Sequence, residues 1–133
     1  LTLPVFVRLS ASEYVADGWD LEQTVALSTE LKRVGVDLID ASSGGNLPHQ
    51  QLRVYPGYQV PFARAIRERA GIATGAVGLI TTASHADAVI AGGDADAVLI
   101  GREELRDPYW PLHAAAELRD NVRWPVQYER AKR

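Results

Sequence analysis

Ala97-Val98-Leu99-Ile100-Gly101-Arg102 decides how the rest of the chain is read, together with its counterpart Thr74-Gly75-Ala76-Val77-Gly78-Leu79-Ile80. Each is an apolar run carrying a small, flexible residue where a strand would end, and a helical pattern follows each one. Glycine at such a strand end lets backbone N–H groups approach a ligand, and the next helix points its positive end the same way. Arg102 adds a permanent charge on a planar fork suited to phosphate oxygens. Two adjacent βα turns of this kind at the end of a chain point to the phosphate site common in the last two units of a (β/α)8 barrel. The competing reading is that the glycines only make tight turns, since such patterns are weak evidence alone.

Working outward, the first expected strand is Pro4 to Ser10, read as buried and with Arg8 near its end. Buried arginine is rare unless paired, so Arg8 either meets a carboxylate or faces a ligand at the strand's carboxyl edge. Asp20 is a good N-cap for a helix running to about Val34, with Leu21, Val25, Ser28, Leu31 and Val34 on one face and Gly35 as its stop. Val36 to Ser42 reads as a covered parallel strand. Ser43 to Tyr58 then lacks periodicity and holds His49, Arg53, Tyr55 and Tyr58. Loops of that length in compact domains are functional or disordered, and this one reads as facing a ligand or a partner. His49 reads as an ordinary loop histidine, with nothing beside it to mark a general base. A helix from about Val60 to Ala70 stops at Gly71, and the Gly75–Ile80 strand follows. Ser84 is the expected N-cap of a short helix ending at Gly92-Gly93, with His85 solvated in its first turn. Asp96 to Ile100 is the last strand. Glu103 to Leu105 start a turn, and Asp107-Pro108 opens a helix with Asp as N-cap and Pro at N1. Pro125 prevents further helix and leaves a tail from Val126 to Arg133.

The order is four βα units, which implies a parallel sheet with right-handed crossovers. A faint echo links Gly35-Val36-Asp37-Leu38-Ile39 with Asp94-Ala95-Asp96-Ala97-Val98: both put an Asp where a helix hands over to a strand. A full barrel of this type needs about 250 residues, and the chain has 133. A half barrel leaves two strand edges unpaired, so the piece must meet a missing half, a copy of itself or a cover. The absence of methionine and the entry into a strand at Val5 give the same expectation, a fragment.

Composition narrows the function classes. With 47% hydrophobic residues the chain has enough apolar content for one domain. A formal net charge of −3 without any basic block argues against a nucleic-acid partner, whose phosphates need Lys and Arg. There is no cysteine, hence no disulfide framework or thiolate chemistry. No apolar run approaches the roughly 18 residues of a membrane span, and no signal peptide precedes the first strand, so the expected location is the cytoplasm. No metal-ligand pattern is read.

Six motifs in order resemble one family: Arg8-Leu9-Ser10-Ala11, Asp37 to Gly44, Pro56-Gly57-Tyr58-Gln59, Thr74 to Ile80, Gly101-Arg102-Glu103 and Leu105-Arg106-Asp107-Pro108. They are similar to the Old Yellow Enzyme family, above all its bacterial NADPH dehydrogenase branch, the thermophilic-like ene-reductases. The resemblance covers nearly the whole chain and implies strands five to eight of a TIM barrel, its C-terminal half. It implies FMN as cofactor, NAD(P)H as reductant and an enone-like small molecule as substrate. By position, Arg8 would lie beside the flavin's pyrimidine edge. Gly78, Gly101 and Arg102 would hold the FMN phosphate. Arg130 would reach into the substrate pocket of a neighbouring subunit in a homo-oligomer, a dimer or tetramer. Glu104 departs from the family, which more often has Leu there. The family's substrate-anchoring histidine pair, proton-donating tyrosine and flavin-tuning cysteine belong to the first half, so no catalytic residue is expected here and the N-terminal half is required. A second class stays open, a non-catalytic half-barrel that binds a phosphate-bearing ligand or acts only by assembly. An aldolase-type barrel is weaker, because Lys32 and Lys132 are poorly placed for a catalytic lysine.

Overall fold

In the computed structural model, which describes residues 3–132, the four strands pair in parallel in the order in which they occur along the chain. They are β1 (Phe6–Ser10), β2 (Leu38–Ser42), β3 (Ala73–Ala76) and β4 (Ala97–Val98). Between them lie α1 (Leu21–Arg33), α2 (Val60–Ala70) and α3 (Ala83–Ala91), with α4 (Arg102–Arg106) and α5 (Trp110–Glu117) after β4. No strand is skipped and the order never reverses. Right-handed crossovers that all step the same way put every connecting helix on the same side of the sheet. The core agrees: Val25 of α1, Ala63 and Ile66 of α2 and Val89 of α3 form a single cluster with Ile39, Ala41 and Ala76 of the strands.

Strand side chains alternate between faces, so the opposite face carries Phe6, Arg8, Leu38, Asp40 and Gly75. Phe6 is 63% exposed, and among the described residues no helix packs over it. The expectation of a buried first strand therefore fails for one of its faces. Val7 and Leu9 pack toward the helices, while Phe6 and Arg8 face outward because nothing among the described residues lies across them. At β3, Leu99 takes the space a side chain would fill, and a Cβ on Gly75 would meet it at 2.2 Å.

Local signals place the helices well. Asp20 caps α1 by accepting from the Gln23 N–H at 2.9 Å, and Gln23 reaches back to the Asp20 N–H at 3.1 Å. This is the reciprocal capping box that closes two open donors. Gly71 ends α2 at φ 63°, a left-handed turn that glycine takes without cost. Other expectations need correction. Val34 is 70% exposed and lies just past the end of α1. The third strand ends at Ala76 rather than Ile80, because Gly78 (φ 120°) and Leu79 (φ 52°) turn the chain. The cap of α3 is Thr82, whose hydroxyl accepts from the His85 N–H, and not Ser84. Asp107 closes α4 instead of opening α5. Its carboxylate bonds the ring of His113 at 2.6 Å, which holds Asp107 below the usual carboxylate range.

The sequence echo at the strand entries turns out to be one device used twice. Asp37 donates its N–H to the Val5 carbonyl at 2.9 Å, and its carboxylate accepts the Val5 N–H at 2.7 Å. Asp96 does the same to Thr74, donating at 2.9 Å and accepting at 2.9 Å. Each aspartate thus closes a ring onto the beginning of the preceding strand and fixes the register there. Arg67 adds charge to the second ring, bonding both oxygens of Asp96 at 3.1 Å. A hydrogen bond to a charged group contributes roughly 1.5–3 kcal/mol. Asp96→Ala is therefore expected to lower the urea midpoint by an amount worth about 2 kcal/mol. Replacing exposed Asp87 by Ala should stay within about 0.5 kcal/mol. Equal midpoints for the two variants would contradict the register role.

Candidate functional site at the carboxyl ends of the strands

Ligands of parallel α/β sheets meet the carboxyl ends of the strands, where loops are free to vary. Four segments come together there: the Ala11–Trp19 loop, the Ser43–Gln59 loop, the turn after β3 and the turn after β4.

Arg8 and Asp40 sit side by side in the β1–β2 register, both on the uncovered face. The Arg8 Nε donates to Asp40 Oδ2 in an ion pair whose side chains are 57% and 8% exposed. The carboxylate foreseen as one of two options for Arg8 is thus Asp40. The exposure is the reverse of the expected one, because the arginine is open and its acid is buried. The two terminal nitrogens of Arg8 make no hydrogen bond among the described residues, and they stand at the surface of the open face. Asp40 Oδ1 is buried and has no partner there either.

The two long loops are knitted to each other. Gly44, at φ 65°, donates to the Ser12 carbonyl at 2.8 Å, and Gln51 donates to the Tyr14 carbonyl at 3.2 Å. Beneath them runs a polar chain that reading the sequence missed. The Tyr14 hydroxyl lies 2.8 Å from the Ser43 hydroxyl, and Ser43 donates to Gln59 Oε1 at 2.8 Å. Gln59 is almost fully buried, at the start of α2. Burial raises the Tyr14 phenol above its ordinary value, with the Ser43 bond opposing, so it stays protonated at neutral pH. The available signal was the pair of serines ending β2 followed by a glutamine just before a helix, which needs a partner once buried.

Gly78 lies next to this chain. It accepts from the Gly57 N–H at 2.7 Å, and a Cβ there would come within 3.1 Å of Gln59 Nε2 and 3.2 Å of the Tyr58 ring. With φ at 120° as well, any other residue there would be strained. Gly101 differs: a Cβ added to it would meet nothing within 4 Å, so its backbone borders open space. Arg102 follows it, exposed and outside any ion pair among the described residues. The sheet brings the turns bearing Gly78 and Gly101 together, since β3 and β4 are neighbours.

The remaining expected residues are elsewhere. His49 is exposed on the long loop. His85 is half-buried, not free in solvent: its ring stands where a Cβ on Gly57 would fall. Arg130 lies on the tail, where Val126–Ala131 form a 3-10 helix, contrary to the expectation that Pro125 prevents further helix. Tyr128 packs edge-on against Tyr109 with centroids 5.4 Å apart. A hollow of about 690 Å³ opens between α5 and this tail. Among the described residues no group of three potential metal ligands occurs, and no helix is long and apolar enough to cross a membrane.

Comparison with known proteins gives this arrangement its setting. Residues 2–121 match the model of the NADH:flavin oxidoreductase / NADH oxidase family. The chain is 54% identical over 130 residues to a protein named NADPH dehydrogenase from Geobacillus thermodenitrificans, covering 98% of this chain and 38% of that protein. It is 50% identical over 127 residues to a Bacillus subtilis protein of the same name, covering 96% of this chain and 37% of that one. The chain thus spans less than two fifths of the length of these relatives. With a family match over nearly its whole length and half its residues shared with such relatives, the chain belongs to the NADH:flavin oxidoreductase / NADH oxidase family.

Proposed function

We propose that this chain is the C-terminal half of a (β/α)8 flavoenzyme, an FMN-dependent NAD(P)H oxidoreductase of the cytoplasm that reduces activated alkenes such as enones. The observation that carries the reading is the half-exposed Arg8 guanidinium on the uncovered sheet face, whose terminal nitrogens make no hydrogen bond among the described residues. A fixed, half-exposed cation on the open face, midway along β1, suits the electron-rich edge of a reduced flavin. The donors present fit the rest of the group. Gly101 borders open space, Arg102 one residue on is an exposed cation outside any ion pair among the described residues, and Gly78 takes a positive φ that favours glycine. The names of the relatives support the reductant, since both are NADPH dehydrogenases.

When bound, FMN supplies reversible hydride storage between the reduced nicotinamide and the alkene. This chain's part is to hold and bias it. Arg8 stabilises negative charge at the pyrimidine edge and so favours the reduced state. Arg102 would hold the phosphate through a charge-assisted fork, with Gly78 and Gly101 as the other residues of that site. The proton donor and the groups that anchor the substrate belong to the other half of the barrel, which also covers the face bearing Phe6. In the assembled homo-oligomer, Arg130 lines the substrate pocket of the neighbouring subunit.

The phosphate assignment is tested in the full-length protein with Arg102→Ala. Loss of a charge-assisted bond worth roughly 1.5–3 kcal/mol should weaken FMN binding by about ten- to a hundredfold. Unchanged affinity would remove Arg102 from the site. The tail is tested by ending the full-length chain at Pro125. We expect weaker association in sedimentation and a raised KM for an enone, because a symmetric interface loses the contact twice. A truncated enzyme that matches the parent in both would make the tail a mere terminus.

A further inference from the structure

Three aspartates stand in or beside the strands, and one behaves unlike the others. Asp37 and Asp96 each accept a backbone N–H and serve the sheet. Asp40, in the middle of β2, accepts no backbone hydrogen bond among the described residues; the partner it has is Arg8 Nε. A carboxylate taken from water is costly unless it is paired and its oxygens are satisfied. Here one oxygen, Oδ1, is buried without a partner. As a device for stability this is a poor one, and a sheet position facing Gly75 and Arg8 would be better served by an apolar residue.

We propose that Asp40 is a positioning residue for Arg8, which fixes the guanidinium through Nε and turns its two terminal nitrogens toward the ligand. The proposal rests on the reading of Arg8 as a flavin-facing cation. Arginine can serve both sides at once because its fork is planar, with Nε on one side and the two terminal nitrogens on the other. Without Asp40 the guanidinium would swing on a half-exposed stem. The acid also sets how much charge the ligand feels, since its own negative charge offsets part of the arginine's field. Lysine could not replace Arg8 here: a single ammonium bonded to Asp40 has no second nitrogen to present.

The test uses the full-length holoenzyme and measures the flavin midpoint potential together with the Kd for FMN. Asp40→Asn keeps an acceptor for Nε but removes the offsetting charge. It should tighten binding of reduced relative to oxidised FMN by about tenfold, a rise of about 30 mV for a two-electron couple. Arg8→Lys, at a half-exposed position that the fold tolerates, keeps the charge but should weaken FMN binding about tenfold or more. If Asp40→Asn fails to fold, Arg8→Lys decides alone. Parent-like potential and affinity in the variants, with FMN bound by the parent, would make the ion pair merely structural. A parent protein that takes up no FMN would overturn the functional reading and this proposal with it.

Discussion

A parallel sheet wound in a single direction has one face it can cover and one it cannot. Each right-handed crossover here steps to the next strand without reversal, and α1, α2 and α3 therefore share the Ile39–Ala41–Ala76 side. Doubly wound sheets reverse and bury both faces with their own helices. This one has no such recourse, so Phe6 and Arg8 at its first strand stand open, with Asp40 buried behind them. Most of what is distinctive in the chain follows from that. The exposed Phe6 has an explanation, Arg8 can be both paired and free, and the loops at the carboxyl ends gather over the edge of a surface still to be covered.

Those loops are tied to one another by polar bonds. The Tyr14–Ser43–Gln59 chain ties the first loop to the second, and Gly57 ties the second to the turn at Gly78. Three of the four segments at the candidate site are thereby linked through named hydrogen bonds. The fourth, at Gly101-Arg102, stands beside them by virtue of the β3–β4 pairing.

Sequence patterns carried the element order because the relevant signals are local. The capping box at Asp20, the left-handed Gly71 and the apolar strand runs each depend on residues within one turn or one strand. Errors arose where a distant group decides. The strand at Thr74 ends early because Gly78 must turn against Tyr58 and Gln59. Asp107 reads as the N-cap of α5 but closes α4, and its match to His113 exists only once α5 has formed. Arg8 was seen to need a carboxylate, yet nothing in its neighbourhood could name Asp40, which is brought to it by strand register across 32 positions. The twin aspartates at the strand entries are visible as a repeat, but their paired hydrogen bonds to the preceding strand exist only in the folded sheet.

We propose that the open face, with Arg8 held midway along β1 by Asp40, receives a flavin. The most direct measurement is the visible absorption spectrum of the full-length protein as purified, followed by release and quantification of the chromophore. The account predicts a yellow protein with flavin absorption bands and close to one FMN released per chain. A colourless protein that takes up no FMN when the cofactor is added back would contradict it.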